Sequence, residues 1–168
     1  SSARFLEGVD DLEAAQVEKY RSLARLMRLS SGQKLLEIGS GWGGFAILAA
    51  REFGARVRSL TISQEQHAFA SRRVQELGLA DQVSIDLCDY RDVDGRYDRI
   101  ASIEMFEAVG EAWWPTFFGK VRDALVPGGV AGLQIITIAD RYFAEYRGSA
   151  DFIQRYIFPG GMLPSPSA

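Results

Sequence analysis

The feature that most constrains this chain is an alternation. From residue 34 onward, short apolar runs take turns with longer segments of helical spacing, and glycine or proline separates them. The runs cover 34–38, 56–62, 83–87, 97–103 and 130–138. The helical segments cover 45–53, closed by Gly54, then 64–77, closed by Gly78, then 114–125, stopped by Pro127-Gly128-Gly129. Strands that alternate with helices imply a mostly parallel sheet with helices on both faces, a doubly wound α/β architecture. An additional helix over 10–29 precedes the first run, with Asp10 or Asp11 as its cap and Ser30-Ser31-Gly32 as its end.

A chain of 168 residues suffices for one domain with a real core. We expect a single domain over 1–168: an N-terminal helical segment over 1–30, a core over 31–140, and the start of a further binding region over 141–168. The tail carries Pro159, Pro164 and Pro166 and ends without a terminating element, so the chain is expected to run on beyond Ala168. One cysteine and one histidine leave no intrachain disulfide and no His- or Cys-rich metal site, so no metal is expected. A net charge of -3 gives no general attraction to nucleic acid. No apolar run reaches the ~20 residues needed to span a bilayer. A cytoplasmic setting is expected, with membrane contact only peripheral, at the inner surface.

The strongest local signal is Glu37-Ile38-Gly39-Ser40-Gly41-Trp42-Gly43-Gly44, between the first strand and the next helix. In an open parallel sheet, ligands bind beyond the carboxyl ends of the strands, and glycines there let a ligand approach the backbone. A dinucleotide site asks for G-x-G-x-x-G. This spacing is G-x-G-x-G-G, with an acid two positions before the first glycine, and it resembles the first motif of S-adenosylmethionine (SAM)-dependent methyltransferases. SAM carries a sulfonium and an amino-acid moiety rather than a diphosphate, and a Glu37 carboxylate suits that cationic end. A dinucleotide loop and an ordinary glycine turn are the competing readings.

Two further segments bear on the cofactor. The second strand ends in Thr61-Ile62-Ser63, followed by Gln64 and Gln66, where many such folds place an acid for the ribose. Thr61, Ser63 and Gln66 can offer neutral hydrogen bonds instead. Ser63 is equally a natural N-cap, with Gln66 three residues on as in a capping box. After the third strand comes Asp89-Tyr90-Arg91, an acid and an aromatic suited to the adenine amine and ring, or a plain polar turn.

The strings Leu36–Gly44, Thr61–His67, Asp89–Asp92, Ser102–Gly110 and Tyr156–Ser165, together with the opening Ser1–Phe5, resemble the cyclopropane-fatty-acid synthase and mycolic acid cyclopropane synthase family along essentially the whole chain. The resemblance implies a Rossmann-like methyltransferase core that uses SAM and releases S-adenosylhomocysteine. It implies alkylation of the cis double bond of an unsaturated phospholipid acyl chain, followed by proton loss that closes a cyclopropane. It further implies a bound bicarbonate as the base. Carried over by position, Glu107, Ile103 and Ser2 would hold that anion, with Ser1 beside the cofactor and Gln134 where the family often has His. A tyrosine of the same group would lie beyond Ala168. The cofactor set implied is Ser1, Glu37, Gly39, Ser40, Gly41, Trp42, Gly43, Thr61, Ile62, Ser63, Gln66, Asp89, Tyr90 and Arg91.

Rival readings stand beside these. Glu107 read from the sequence alone is a helix-start dipole partner as readily as a site residue. His67 and Cys88 read as a helical surface residue and a small buried hydrophobe. The aromatic groups Trp113, Trp114, Phe117 and Phe118, and Phe152, Ile153, Tyr156, Ile157 and Phe158, read first as core and second as walls of an acyl slot. A methyltransferase that leaves a methyl or methylene branch, a silent SAM- or lipid-binding module, and a dehydrogenase are the alternative functions.

Overall fold

A computed structural model describes residues 2–8, 10–148, 152–157 and 159–168. Five parallel strands form one sheet: β1 (Lys34–Ile38), β2 (Arg56–Thr61), β3 (Val83–Leu87), β4 (Tyr97–Ile103) and β5 (Leu125–Gln134). Their spatial order is β3-β2-β1-β4-β5. The helices are α1 (Leu12–Leu26), α2 (Gly44–Phe53), α3 (Gln64–Glu76), α4 (Trp114–Ala124) and α5 (Asp140–Gly148).

Strand side chains alternate between two cores, as a period of two requires. Leu35, Val57 and Val83 pack with Leu23 and Met27 of α1, Phe45 of α2 and Val74 of α3. Leu36, Leu60 and Ile100 pack on the opposite face with Phe106, Phe117 and Val121. The sheet is therefore covered on both sides at its centre, which explains the nearly continuous apolar run of β1, while the edge strand β3 alternates and leaves Ser84 exposed. Asp11 caps α1 by accepting from the Ala14 N–H at 2.8 Å.

The chain builds outward from β1 through β2 to β3, then returns across β1 to add β4 and β5. The connections leaving β1 and β4 diverge there, and this topological switch opens a crevice at the carboxyl ends of the two strands.

Two segments depart from the expectation. β5 begins at Leu125 rather than 130, with Pro127-Gly128-Gly129 absorbed as an irregularity: Tyr97 pairs with Leu125, yet Arg99 pairs with Val130. It ends at Gln134, and the Ile138 N–H is taken by the Pro164 carbonyl of the tail at 3.0 Å. The C-terminal aromatics are not core. Phe152, Tyr156 and Ile157 are 65%, 70% and 50% exposed around a π-helical turn over Ile153–Ile157. Phe158 and the Ile153 side chain lie outside the described residues. Of the other aromatic group, Phe117 is fully buried, while Trp113 and Phe118 are half exposed.

Candidate active site

The loop after β1 is held by its neighbour strand. The N–H groups of Gly39 and Ser40 both donate to the Leu60 carbonyl, at 3.1 and 2.7 Å, and Gly43 N–H closes a turn onto Ser40. Gly39 and Gly41 have φ of +96° and +49°, which glycine adopts without penalty. At Gly39 a Cβ would strike Met105 at 2.9 Å; at Gly41 it would point into open space. Gly43 precedes α2 with no side-chain cap, so that helix start offers its amides to the crevice. The crevice is large, about 1290 Å³. Its walls come from the glycine loop, α1, the end of β4, Ile136, and the tail residues Tyr146, Gln154, Met162 and Leu163.

Three carboxylates reach it from the strand ends. Glu37, the fourth residue of β1, is only 2% exposed, and its Oε2 accepts from the Ser59 hydroxyl at 2.5 Å. Burial pushes its carboxyl up to about 8, against the smaller lowering by Ser59. Glu107 sits on a short 3-10 turn, Phe106–Ala108, just past β4. Its Oε1 accepts from the Ile136 N–H at 2.5 Å, and its buried Oε2 has no hydrogen-bond partner among the described residues. The Met162 N–H donates to the Glu107 carbonyl at 2.9 Å and draws the tail across it. Glu104 follows β4 directly with φ of +50°, a left-handed conformation uncommon outside glycine.

Glu104 gathers the N-terminal segment. Its carboxylate accepts from the Ser2 N–H at 2.9 and 3.2 Å, from the Ser2 hydroxyl, and from Gln134 Nε2 at 2.8 Å. The Ser2 carbonyl in turn accepts from Lys19 Nζ at 2.8 Å and Gln16 Nε2 at 3.0 Å. Burial would raise the Glu104 carboxyl, but the Ser2 hydrogen bonds and the Lys19 charge outweigh it and hold it below the ordinary value. Burial lowers Lys19, while Glu104 pulls it the other way.

The pattern of matches decides the family. A sequence family described as mycolic acid cyclopropane synthetase matches residues 1–168. The chain belongs to that family. Among curated relatives of this synthetase family, the chain is 46% identical to a tuberculostearic acid methyltransferase of Mycobacterium tuberculosis over 94% of its own length and 37% of the relative's. It is 37% identical to a cyclopropane-fatty-acyl-phospholipid synthase of Escherichia coli over 98% of its length and 41% of the relative's. The chain thus spans about two-fifths of those relatives. Among solved structures, a cyclopropane synthase of Mycobacterium tuberculosis superposes with a TM-score of 0.88 at 28% identity, covering 99% of this chain and 62% of that one. A mycolic acid cyclopropane synthase complexed with SAH and CTAB gives 0.87 at 29%, covering 98% and 61%. The fold is accordingly that of a Rossmann-like methyltransferase.

The synthetase-family residues expected from the sequence are distributed as follows in the structure. Glu37, Gly39, Ser40, Gly41, Trp42, Gln66, Ile103 and Glu107 line the crevice. Thr61, Ser63 and Gln66 mainly satisfy one another: Ser63 caps α3 through the Gln66 N–H, and Thr61 donates to Gln66 Oε1 at 2.8 Å. Ile62 is exposed at the strand end, and Gly43 packs against Ala70. Asp89 is held by Arg91 through a paired contact at 2.6 and 3.0 Å, and this lowers its carboxyl. Arg91 lies over the Trp113 ring, and Tyr90 packs edge-on to Phe117. Ser2 and Gln134 meet at Glu104, and Ser1 lies outside the described residues. Cys88 is half-buried rather than fully buried, its thiol directed at the Asp89 carbonyl.

Sequence reasoning missed Glu104, Gln16 and Lys19, and Tyr20, which lines the crevice from α1. The signal for Glu104 was present as the second acid of Glu104-Met105-Phe106-Glu107. Nothing in the sequence announced that α1 forms a crevice wall. No helix among the described residues is long and apolar enough to cross a membrane.

Proposed function

We propose that this chain forms the cofactor-binding part of a SAM-dependent enzyme that alkylates the double bond of an unsaturated lipid acyl chain and closes a cyclopropane. The observation that carries the reading is the meeting of the glycine loop after β1 with Glu104 and Glu107, just past the end of β4, across one large crevice. The open side of Gly41 and the uncapped start of α2 fit the amino-acid end of SAM, whose carboxylate suits free helix amides. Buried Glu37 beneath the loop fits the cationic end, because a nearby positive charge restores its ionisation.

SAM supplies an electrophilic methyl on a sulfonium. When the acyl double bond takes that methyl, the sulfur–carbon bond would break with its electron pair left on sulfur as a thioether, positive charge would develop on the lipid, and the Glu104 carboxylate would present negative charge to the same cleft, with Glu107 beside it. Ile103, Met105, Ile136, Met162 and Leu163 line the space with apolar surface that excludes water from a cation. The unpartnered Oε2 of Glu107 is an acceptor without a donor, the state expected of a group that receives a proton. Loss of a proton from the added methyl lets its carbon bond to the cationic centre and closes the ring; loss from a neighbouring carbon leaves a branched alkene.

A second reading, a branched product, draws support from two relatives. One is the tuberculostearic acid methyltransferase; the other is a probable fatty acid methyltransferase of Pseudomonas putida, 41% identical over 98% of this chain. Incubating the full-length protein with methyl-labelled SAM and vesicles of unsaturated phospholipid, then analysing the acyl chains by proton NMR for cyclopropyl or vinyl hydrogens, separates the two isomers. A saturated ring supports the first, a retained alkene with a branch supports the second, and unlabelled lipid refutes both.

A further inference from the structure

Two of the donors that the family resemblance assigns to a bound bicarbonate, Ser2 and Gln134, are already spent. Ser2 gives its N–H to both oxygens of Glu104 and its hydroxyl proton to Oε1. Gln134 has two amide hydrogens: Nε2 donates to the Ser2 oxygen at 2.8 Å and to Glu104 Oε1 at 2.8 Å. A carboxamide carries no third. An added bicarbonate would find these donors occupied and the Glu104 carboxylate, held ionised by its own partners, facing it with like charge. Bicarbonate therefore does not fit the residues as they stand.

We propose that the Glu104 carboxylate is itself the resident anion of this site, standing where a diffusible bicarbonate would otherwise sit, so that the enzyme works without one. The inference rests on the lipid-alkylation reading for its meaning, but its geometry does not depend on which product forms. Glu104 holds φ of +50° for a non-glycine residue, a conformation that persists only when the surroundings fix it. Its N–H is anchored to the Gln134 carbonyl at 2.8 Å, and its side chain is anchored at Ser2, 102 residues away in sequence. Lys19, with its Nζ on the Ser2 carbonyl, adds a nearby positive charge that keeps the carboxylate ionised. The site is thus assembled around an internal anion: a carboxylate, three donated hydrogen bonds and a neighbouring ammonium. Oε2 keeps only the longer 3.2 Å contact and so retains acceptor capacity.

The test is a gain of function. Full-length wild type, Glu104→Gly and Glu104→Asn, each saturated with S-adenosylhomocysteine and stripped of carbon dioxide, are titrated with carbon-13 bicarbonate and followed by NMR line width. Glycine and asparagine both tolerate the left-handed backbone and vacate the carboxylate, so either variant serves if the other folds poorly. The expected result is no saturable binding by wild type, and binding at least about tenfold tighter in a variant. Equal binding by wild type overturns the proposal; absence of binding in every folded variant does so as well, because it removes the anion site. In parallel, methyl transfer to unsaturated phospholipid vesicles should change by less than about twofold when bicarbonate is withdrawn from wild type, whereas a loss of about tenfold contradicts it. No methyl transfer in any buffer counts against the lipid reading alone, and the binding titration still decides the role of Glu104.

Discussion

Replacing Glu37 by Gln should make the protein more resistant to unfolding as pH rises. Glu37 is fully enclosed beneath the glycine loop, and burial lifts its carboxyl from 4.5 to about 8. At about 1.4 kcal/mol for each pH unit, that rise amounts to about 5 kcal/mol. The folded-state value lies above the unfolded one. The associated stability is therefore complete below pH 4.5 and is lost as pH climbs from 4.5 through 8. A glutamine of the same shape does not titrate, and its carbonyl still accepts from the Ser59 hydroxyl. The other ionisable groups are shared and cancel in the comparison. Urea unfolding of wild type and Glu37→Gln, without ligand, should therefore diverge by about 4 kcal/mol in favour of the variant between about pH 5 and pH 8. Parallel stability profiles over that range would refute the reasoning, since they would mean that Glu37 is already ionised in the folded protein.

The remaining predictions concern the ligand and the chemistry. SAM binding near pH 7 should release a proton, because a cation beside Glu37 draws its carboxyl down from about 8; calorimetry in two buffers of different ionisation enthalpy reads this, and identical heats would contradict it. Glu107→Gln should lower turnover by about 10²–10⁴-fold with SAM affinity unchanged, measured by product formation and by calorimetry; unchanged turnover removes Glu107 from the mechanism. Gly41→Asn, whose side chain tolerates the left-handed backbone at φ +49°, should abolish SAM binding because it enters the open side of the loop; retained affinity would place the cofactor elsewhere.

The sequence made β1, β3 and β4 legible to the residue, since each is a short run bounded by turn residues, β1 buried nearly throughout and β3 alternating between a buried and an open face. Gly54 marked the end of α2 for a local reason, a C-terminal residue with φ of +66°. β5 was harder. Pro127-Gly128-Gly129 is turn chemistry, yet in an outer strand the extra residues are taken up as a register shift against β4. Helical spacing at 152–158 suggested burial, but spacing reports a periodic face and not what covers it. In the site, the glycine loop was a local motif and could be read, whereas Glu107 was singled out only through the family resemblance. The pairing of Ser63 with Gln66 followed from capping chemistry; the Thr61 contact to Gln66 did not. The gathering of Ser2, Gln134 and Lys19 about Glu104 joins residues up to 132 positions apart, and no local pattern encodes it.

The claim on which the account depends is that the crevice between β1 and β4 takes a sulfonium cofactor. Calorimetric titration of the full-length protein with SAM and, in parallel, with NAD tests it most directly. The account predicts saturable heat with SAM and none with NAD; binding of NAD with no response to SAM would contradict it.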